Sequence, residues 1–350
     1  MKQTTIAILM LITLIGCSKD PIAPGTENSF STKGVYILNE GGFTKSNSSL
    51  SFFLPDSHKL YPDVFLAKNL RPLGDVANDM VLVGNKAFIV LNNSDKIEII
   101  STDNHASLGT INLPGDNPNK LAIVNSSKGY ITNLYKGTVT AFNPTTYGIL
   151  KQNIAVGLNP QSMAVANGKV FVCNSGYGGD STVSVIDPAV DSVIATITVA
   201  KSPTDIAVGS DGDIVVVCNG FTDYSGAGKD TPGNITFIDP STLTVKATIE
   251  LSLQQYGHPG ELALSDKGYG FTIVEYGVIK FNTKTHSIIS PNFILRSAYS
   301  IAVDNFNERI YLGDAKDFKT QGMVFIHEKD AATVDSISVG IIPGTFVFKR

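Results

Sequence analysis

Four stretches of this chain repeat one another: PNKLAIV (118–124), PQSMAVA (160–166), PTDIAVG (203–209) and PGELALS (259–265). Looser copies, ANDMVLV (77–83) and AYSIAVD (298–304), extend the series in both directions. A period of about 40–45 residues, with several short β-rich runs in each unit, is the signature of a propeller blade. One four-stranded sheet cannot cover both of its faces. Stacked copies can, so such units come in closed rings. A ring also accommodates 350 residues without one oversized core.

Residues 160–202 give the clearest unit. Strand A is 161–165, closed by the hairpin signal Asn167-Gly168; strand B is 170–174, strand C 182–187 and strand D 193–199. No stretch sustains a helical period. C strands recur at 50–54, 97–101, 139–143, 183–187, 235–239, 278–282 and 323–327, which makes seven blades. The first copy lacks a strand A, because 34–39 already reads as strand B, and the chain ends in PGTFVFKR, a strand A with nothing after it. The expected fold is therefore all-β: one seven-bladed β-propeller over residues 31–350, with 345–349 completing the first blade and closing the ring.

Frames repeat because packing demands it, whereas inserts vary where binding is placed. The segments VFVCNSGYGGDSTVSVIDP (170–188) and IVVVCNGFTDYSGAGKDTPGNITFIDP (214–240) share a frame and differ in the middle. The long, unlike connections are the B–C loops 175–181, 220–233 and 315–321 and the D–A loop 252–258; in an up-and-down blade all of these fall on one face. That face is expected to carry the ligand-binding residues Tyr135, Tyr177, Phe221, Tyr224, Tyr256, His258, Tyr276, Arg296, Tyr299 and Phe318. Tyrosine suits a partly polar ligand, since it offers a rigid ring and one hydroxyl. The third residue of each strand A copy gives Asp79, Lys120, Ser162, Asp205, Glu261, Ser300 and Thr345, a mildly acidic collar around the channel that suits a cation or a polar ligand. Arg71 and Arg296, on D–A connections, are placed to clamp an anion on the same face.

The chemistry of an enzyme is sparse. The five histidines fall at no metal-ligand spacing, and there is neither a haem-attachment motif nor a Gly-x-Ser-x-Gly elbow. No metal and no cofactor is expected. Glu275, Asp314, His258 and Arg296 are the only candidates for a catalytic cluster. Cys173 and Cys218 take the same place in adjacent blades by alignment, about 10 Å apart across packed sheets, too far for a disulfide. A net charge of −4 argues against nucleic acid as a partner.

The amino terminus, MKQTTIAILMLITLIGC, has one early lysine and a short apolar run ending in Leu-Ile-Gly-Cys. It resembles a bacterial lipobox, which implies a signal peptide over 1–16, lipidation of Cys17 and a polar tether through residue 30. Lys19-Asp20 resembles the short charged signals that carry some lipoproteins to the cell surface. The expected address is the outer membrane or the cell surface, with membrane contact through the lipid alone.

The Val-Phe-Val-Cys-Asn run at 170–174, the Val-Cys-Asn at 217–219, the Ile-Asp-Pro strand ends and the Ala-Thr-Ile-Thr-Val strand at 195–199 resemble the YVTN-repeat β-propellers. That family implies the seven-bladed fold and supplies no catalytic residues. With the lipobox, the whole also resembles surface propeller lipoproteins that capture cobalamin beside an outer-membrane transporter. The expectation is a binding lipoprotein that captures a ligand, in its most specific form a corrinoid, on the long-loop face. A protein-interaction module of the envelope and a lactonase-like hydrolase are the alternatives.

Overall fold

The computed structural model describes residues 33–350. The expected signal peptide, Cys17 and the tether lie outside the described residues. The described residues form seven four-stranded antiparallel sheets arranged as a propeller. Blades two to seven each use four consecutive strands, and blade one joins Pro343–Lys349 to Gly34–Asn39, Ser49–Leu54 and Lys59–Tyr61. Gly34 pairs with Lys349 and Leu38 with Thr345, so the last strand does close the ring. Both ends of the described chain thus sit where the other blades carry an A–B turn, on the face opposite the long loops.

Alternation along the strands drives the packing. In the blade at 203–250, strand B (Ile214–Cys218) is buried throughout, while the outer strand (Thr244–Glu250) is largely exposed. Seven apolar clusters fill the seven spaces between neighbouring blades. Each fully buried aliphatic or aromatic side chain there contributes roughly 1.5–3 kcal/mol.

The asparagine ending strand B earns its recurrence. Asn133 donates through Nδ2 to the Thr138 and Thr140 hydroxyls, both at 3.0 Å, and Asn174 donates likewise to Thr182 at 3.0 Å and Ser184 at 2.9 Å. Asn39 does the same with Ser49 and Ser51. Each asparagine ties the start of strand C to the end of strand B.

Three sequence expectations are corrected. First, the described residues include two short α-helices, α1 (Val64–Asn69) and α2 (Leu253–Tyr256). Asp63 caps α1 by accepting the Leu66 N–H at 3.0 Å, and Leu70 ends it in a left-handed turn; six residues are too few to register as a period. Secondly, the two cysteines are not equivalent. Pro160 pairs with Asn174, and Pro203 with Cys218, so Cys218 takes the place of Asn174 and lies one residue out of step with Cys173. The offset turns both thiols into the same layer between blades four and five, where they remain free. Burial pushes the Cys218 thiol up to about 12, which keeps it protonated and inert. Thirdly, Arg71 does not clamp an external anion. It donates to buried Glu98 at 2.6 Å and to Ser107 at 3.1 Å, and it packs on the Phe65 ring. Among the described residues no helix is long and apolar enough to cross a membrane.

Candidate functional site: an acidic cavity at the channel mouth

Two consecutive positions of the strand A repeat build the mouth of the channel on the long-loop face. The second position reads Asn78, Asn119, Gln161, Thr204, Gly260, Tyr299 and Gly344 around the ring. In blades two to four the side-chain amides link head to tail: Asn78 Nδ2 donates to Asn119 Oδ1 at 2.7 Å, and Asn119 Nδ2 donates to Gln161 Oε1 at 3.0 Å. The relay stops at Thr204, which is shorter. At Gly260 there is no side chain, and a Cβ added there would meet nothing within 4 Å. At Gly344 the room is taken by Glu40, whose Oε1 would lie 2.3 Å from an added Cβ. The ring is therefore packed on one side and hollow on the other.

The hollow is a cavity of about 540 Å³ lined by Lys120, Asp205, His258, Glu261, Glu275 and Tyr299, with Gln161, Thr204, Asn219 and Gly260 among its remaining walls. That volume falls in the range of small-molecule sites. His258 is held by its Nδ1, 2.9 Å from the Asn219 carbonyl. Tyr299 donates to Glu40 Oε1 at 2.9 Å and to Oε2 at 3.1 Å, which spans the seam between blades seven and one.

The third position supplies the charge. Asp79 Oδ2 accepts the Leu121 N–H of the next blade at 2.8 Å, and Asp205 Oδ2 accepts the Leu262 N–H of its own next blade at 2.8 Å. Each aspartate thus staples neighbouring blades. Lys120 donates to the Asn78 carbonyl at 3.0 Å, and no carboxylate lies within 4 Å of its ammonium among the described residues. The carboxylates of Asp79, Glu261, Asp205 and Glu40 nonetheless hold it protonated, well above the usual lysine range, against the cost of burial.

Burial, with repulsion from Asp205, pushes the Glu261 carboxyl up to about 7 despite Lys120. Burial likewise raises Glu40 to about 7, against the Tyr299 hydrogen bond and Lys120. Two carboxyls are thus pushed toward neutrality, Glu261 in the cavity wall and Glu40 behind Tyr299, and shifts of this kind cluster at functional sites. Among the described residues no three His, Cys, Asp or Glu side chains are grouped to hold a metal ion.

The expected aromatic residues divide. Tyr299 and His258 line the cavity. Phe318 packs edge-on against Tyr299, with ring centroids 5.5 Å apart, beside a smaller hollow of about 170 Å³. Tyr177 lies beside Tyr135 and Gln161, so this pair borders the cavity from blades three and four; both rings are exposed. Phe221 packs on Gly178 and beneath the Lys201 ammonium, which fixes its own loop. Tyr276 is exposed beside Glu275. Tyr224, at 95% exposure, stands at the tip of the longest loop, away from the other rings. Tyr256 turns inward to the cluster between blades five and six and offers no surface to a ligand. Arg296 lies flat on Phe325, 3.6 Å from the ring centroid. Glu40 escaped the sequence reading because it belongs to the split first blade; its one signal was the glycine, Gly344, in the position facing it.

The class defined by this architecture is the seven-bladed β-propeller with a polar cavity at one channel mouth. The chain belongs to the family described as Domain of unknown function (DUF5074), which matches residues 33–298. No curated protein matches the chain in sequence. Solved structures with the same architecture include a quinonprotein alcohol dehydrogenase-like protein of Bacteroides thetaiotaomicron VPI-5482. It shares 15% identity at a TM-score of 0.67 over 91% of this chain and 79% of its own. A Bacteroides fragilis NCTC 9343 protein provisionally named a 6-phosphogluconolactonase shares 13% identity at a TM-score of 0.67, over 94% of this chain and all of its own. Kuenenia stuttgartiensis hydrazine synthase shares 16% identity at a TM-score of 0.64, over 75% and 85% of the two chains. At these identities the likeness is one of fold alone.

Proposed function

We propose that the protein is a ligand-capturing propeller whose site is the cavity beside Gly260, and that the ligand is a small polar molecule rich in hydrogen-bond donors. The observation that carries this reading is the interrupted amide ring: an opening of about 540 Å³ where two successive repeats give up their long polar side chain. Its walls present mainly acceptors, the carboxylates of Asp205, Glu261 and Glu275. Hydroxyl or ammonium donors would satisfy them, and the exposed rings of Tyr135, Tyr177 and Phe318 would shield an apolar part of the ligand. In the most specific form of this reading the ligand is a corrinoid passed to an outer-membrane transporter, an amide arm of the macrocycle entering the cavity while the ring lies over the mouth. A lipidated Cys17 would fit that role. The described chain begins on the opposite face, so a tether leaving there would point the cavity away from the membrane.

The test is calorimetric titration with cobinamide, cobalamin and spermidine, using wild type and Gly260→Gln. Gly260 has room for a side chain and an ordinary backbone conformation, so glutamine should fill the cavity and continue the amide ring. Saturable binding by at least one ligand, lost in the variant, is the expected result. Binding that survives Gly260→Gln would remove the cavity from the account.

One observation favours a second reading, a hydrolase. Glu261 titrates near neutrality within the same cavity as His258, which suits proton transfer. Turnover of lactone substrates with a pH profile centred near 7 and abolished by Glu261→Gln would establish it.

A further inference from the structure

A second cavity lies on the opposite face, between blades six and seven. It measures about 480 Å³ and is lined by Lys267, Tyr269, Phe271, Lys280, Glu308 and Lys329, with Ser265 and Val303. Lys267 and Glu308 come from the A–B turns, Lys329 from a C–D turn and Lys280 from strand C of blade six. The short, uniform turns of this face gave no sign of a site.

We propose that this cavity binds an anion carrying a flat apolar group, an aryl phosphate or aryl carboxylate in chemical class. The argument starts from Lys280. Its ammonium lies 4.2 Å from the ring centroid of Tyr269, 5.0 Å from that of Phe293 and 5.7 Å from that of Phe271. Among the described residues no carboxylate lies within 4 Å of it. Aromatic faces attract a cation, but they do not neutralise it. Burial lowers the affinity of this amine for its proton, with only a partial offset from Glu308. Lys267 and Lys329 add two more ammonium groups, whose nearest carboxylates, Asp266 and Glu308, stand at 3.5 Å and 3.6 Å. Three cations therefore share a cavity with one wall carboxylate. A phosphate or carboxylate would receive N–H donors from several sides, while the Tyr269 and Phe271 walls would stack on a planar group.

The test is titration of the full chain with phenyl phosphate, with inorganic phosphate as the charge alone. Phenyl phosphate should bind saturably, and inorganic phosphate about tenfold more weakly, because it forgoes the aromatic wall. Lys280→Met should weaken phenyl phosphate by about tenfold or more. Gly260→Gln, which alters only the other face, should leave it unchanged. Should Lys280→Met fail to fold, the surface double variant Lys267→Gln with Lys329→Gln must show the same weakening. The proposal is overturned if phenyl phosphate gives no saturable binding up to about 10 mM, if it binds no better than inorganic phosphate, or if the lysine substitutions leave its affinity unchanged.

Discussion

Lys120 and Lys280 are the same residue in two opposite predicaments. Each lies in a cavity between propeller blades, and neither has a carboxylate within 4 Å among the described residues. Lys120 is encircled at longer range by Asp79, Glu261, Asp205 and Glu40, which raise its proton affinity far above what burial removes. Lys280 faces aromatic rings, and its proton affinity falls. The comparison teaches that a cavity's appetite for a ligand depends on what its walls leave unbalanced. The mouth cavity is acidic with its single cation already engaged, so it has acceptors to spare. The turn-face cavity has cations to spare.

The sharpest way to break this comparison is to make the same substitution in both places. Lys120→Met strands several carboxylates in a channel walled by protein. Removing one partner of a buried charge cluster costs about 3–5 kcal/mol. Denaturant unfolding near pH 8 should show a loss of that order, and near pH 5 a smaller one, because protonation of Glu40 and Glu261 relieves the repulsion. An equal loss at both pH values would mean that Lys120 acts through packing and not through charge.

Glu261 sharpens the electrostatic half. Its folded-state value of about 7 exceeds the ordinary glutamate value of 4.5, so between those limits the folded protein holds more protons than the unfolded chain. Its contribution to stability is complete below about pH 4.5 and is lost as pH rises through about 7. Glu40 acts in the same direction. His105 opposes both at lower pH, since burial depresses it to about 4 and its contribution is lost on acidification. Glu261→Gln should therefore be read as a difference from wild type across pH 5–8: the variant's stability should fall less steeply with rising pH. Parallel curves would show that the carboxyl titrates normally.

Gly260→Gln tests the packing half and should have a smaller effect. Replacing a glycine of ordinary conformation reduces the freedom of the unfolded chain, worth about 0.4–1 kcal/mol. A thermal melt should be unchanged or slightly raised, even as ligand binding is lost. A marked destabilisation would mean that the hollow is already filled in solution.

Much of this was legible in the sequence, and the failures share a cause. The ring, its seven blades and its closure follow from a repeat in which every copy obeys the same packing rule. The collar residues Asp79, Lys120, Asp205 and Glu261 follow from aligning those copies. The neighbouring position, where Asn78, Asn119 and Gln161 give way to Thr204 and Gly260, was equally visible, but its meaning depends on amides reaching between blades, which alignment alone does not show. Glu40 sits in the split first copy, where alignment offers least, and Lys280 lies on a strand C whose aromatic neighbours come from strands B and D, a contact that alignment alone does not show. Aromatic loop residues have no period at all. Nothing in the string separates Tyr135, which borders the cavity beside Tyr177, from Tyr256, which anchors its loop from inside. The Cys-Asn match at 173–174 and 218–219 misled because it aligned letters where pairing with strand A sets the register.

Lys280→Met should have the smallest effect on stability and for that reason decides most. The thioether side chain keeps the length of the stem and its contact with Tyr269, Phe271 and Phe293, and it has no charge to desolvate. What is lost is the attraction between ammonium and rings, worth about 0.5–1 kcal/mol where water still reaches it. What is gained is relief from burying a cation without a counter-charge, of similar size and opposite sign. The two nearly cancel, so the unfolding midpoint should move little in either direction, in contrast to the several kcal/mol expected at Lys120. A large destabilisation would show that the aromatic cage is a structural rivet and that its lysine exists for the fold. A midpoint close to wild type, together with lost phenyl phosphate binding, would show a cation that the fold carries at no benefit to itself, which is how a residue kept for a ligand should behave.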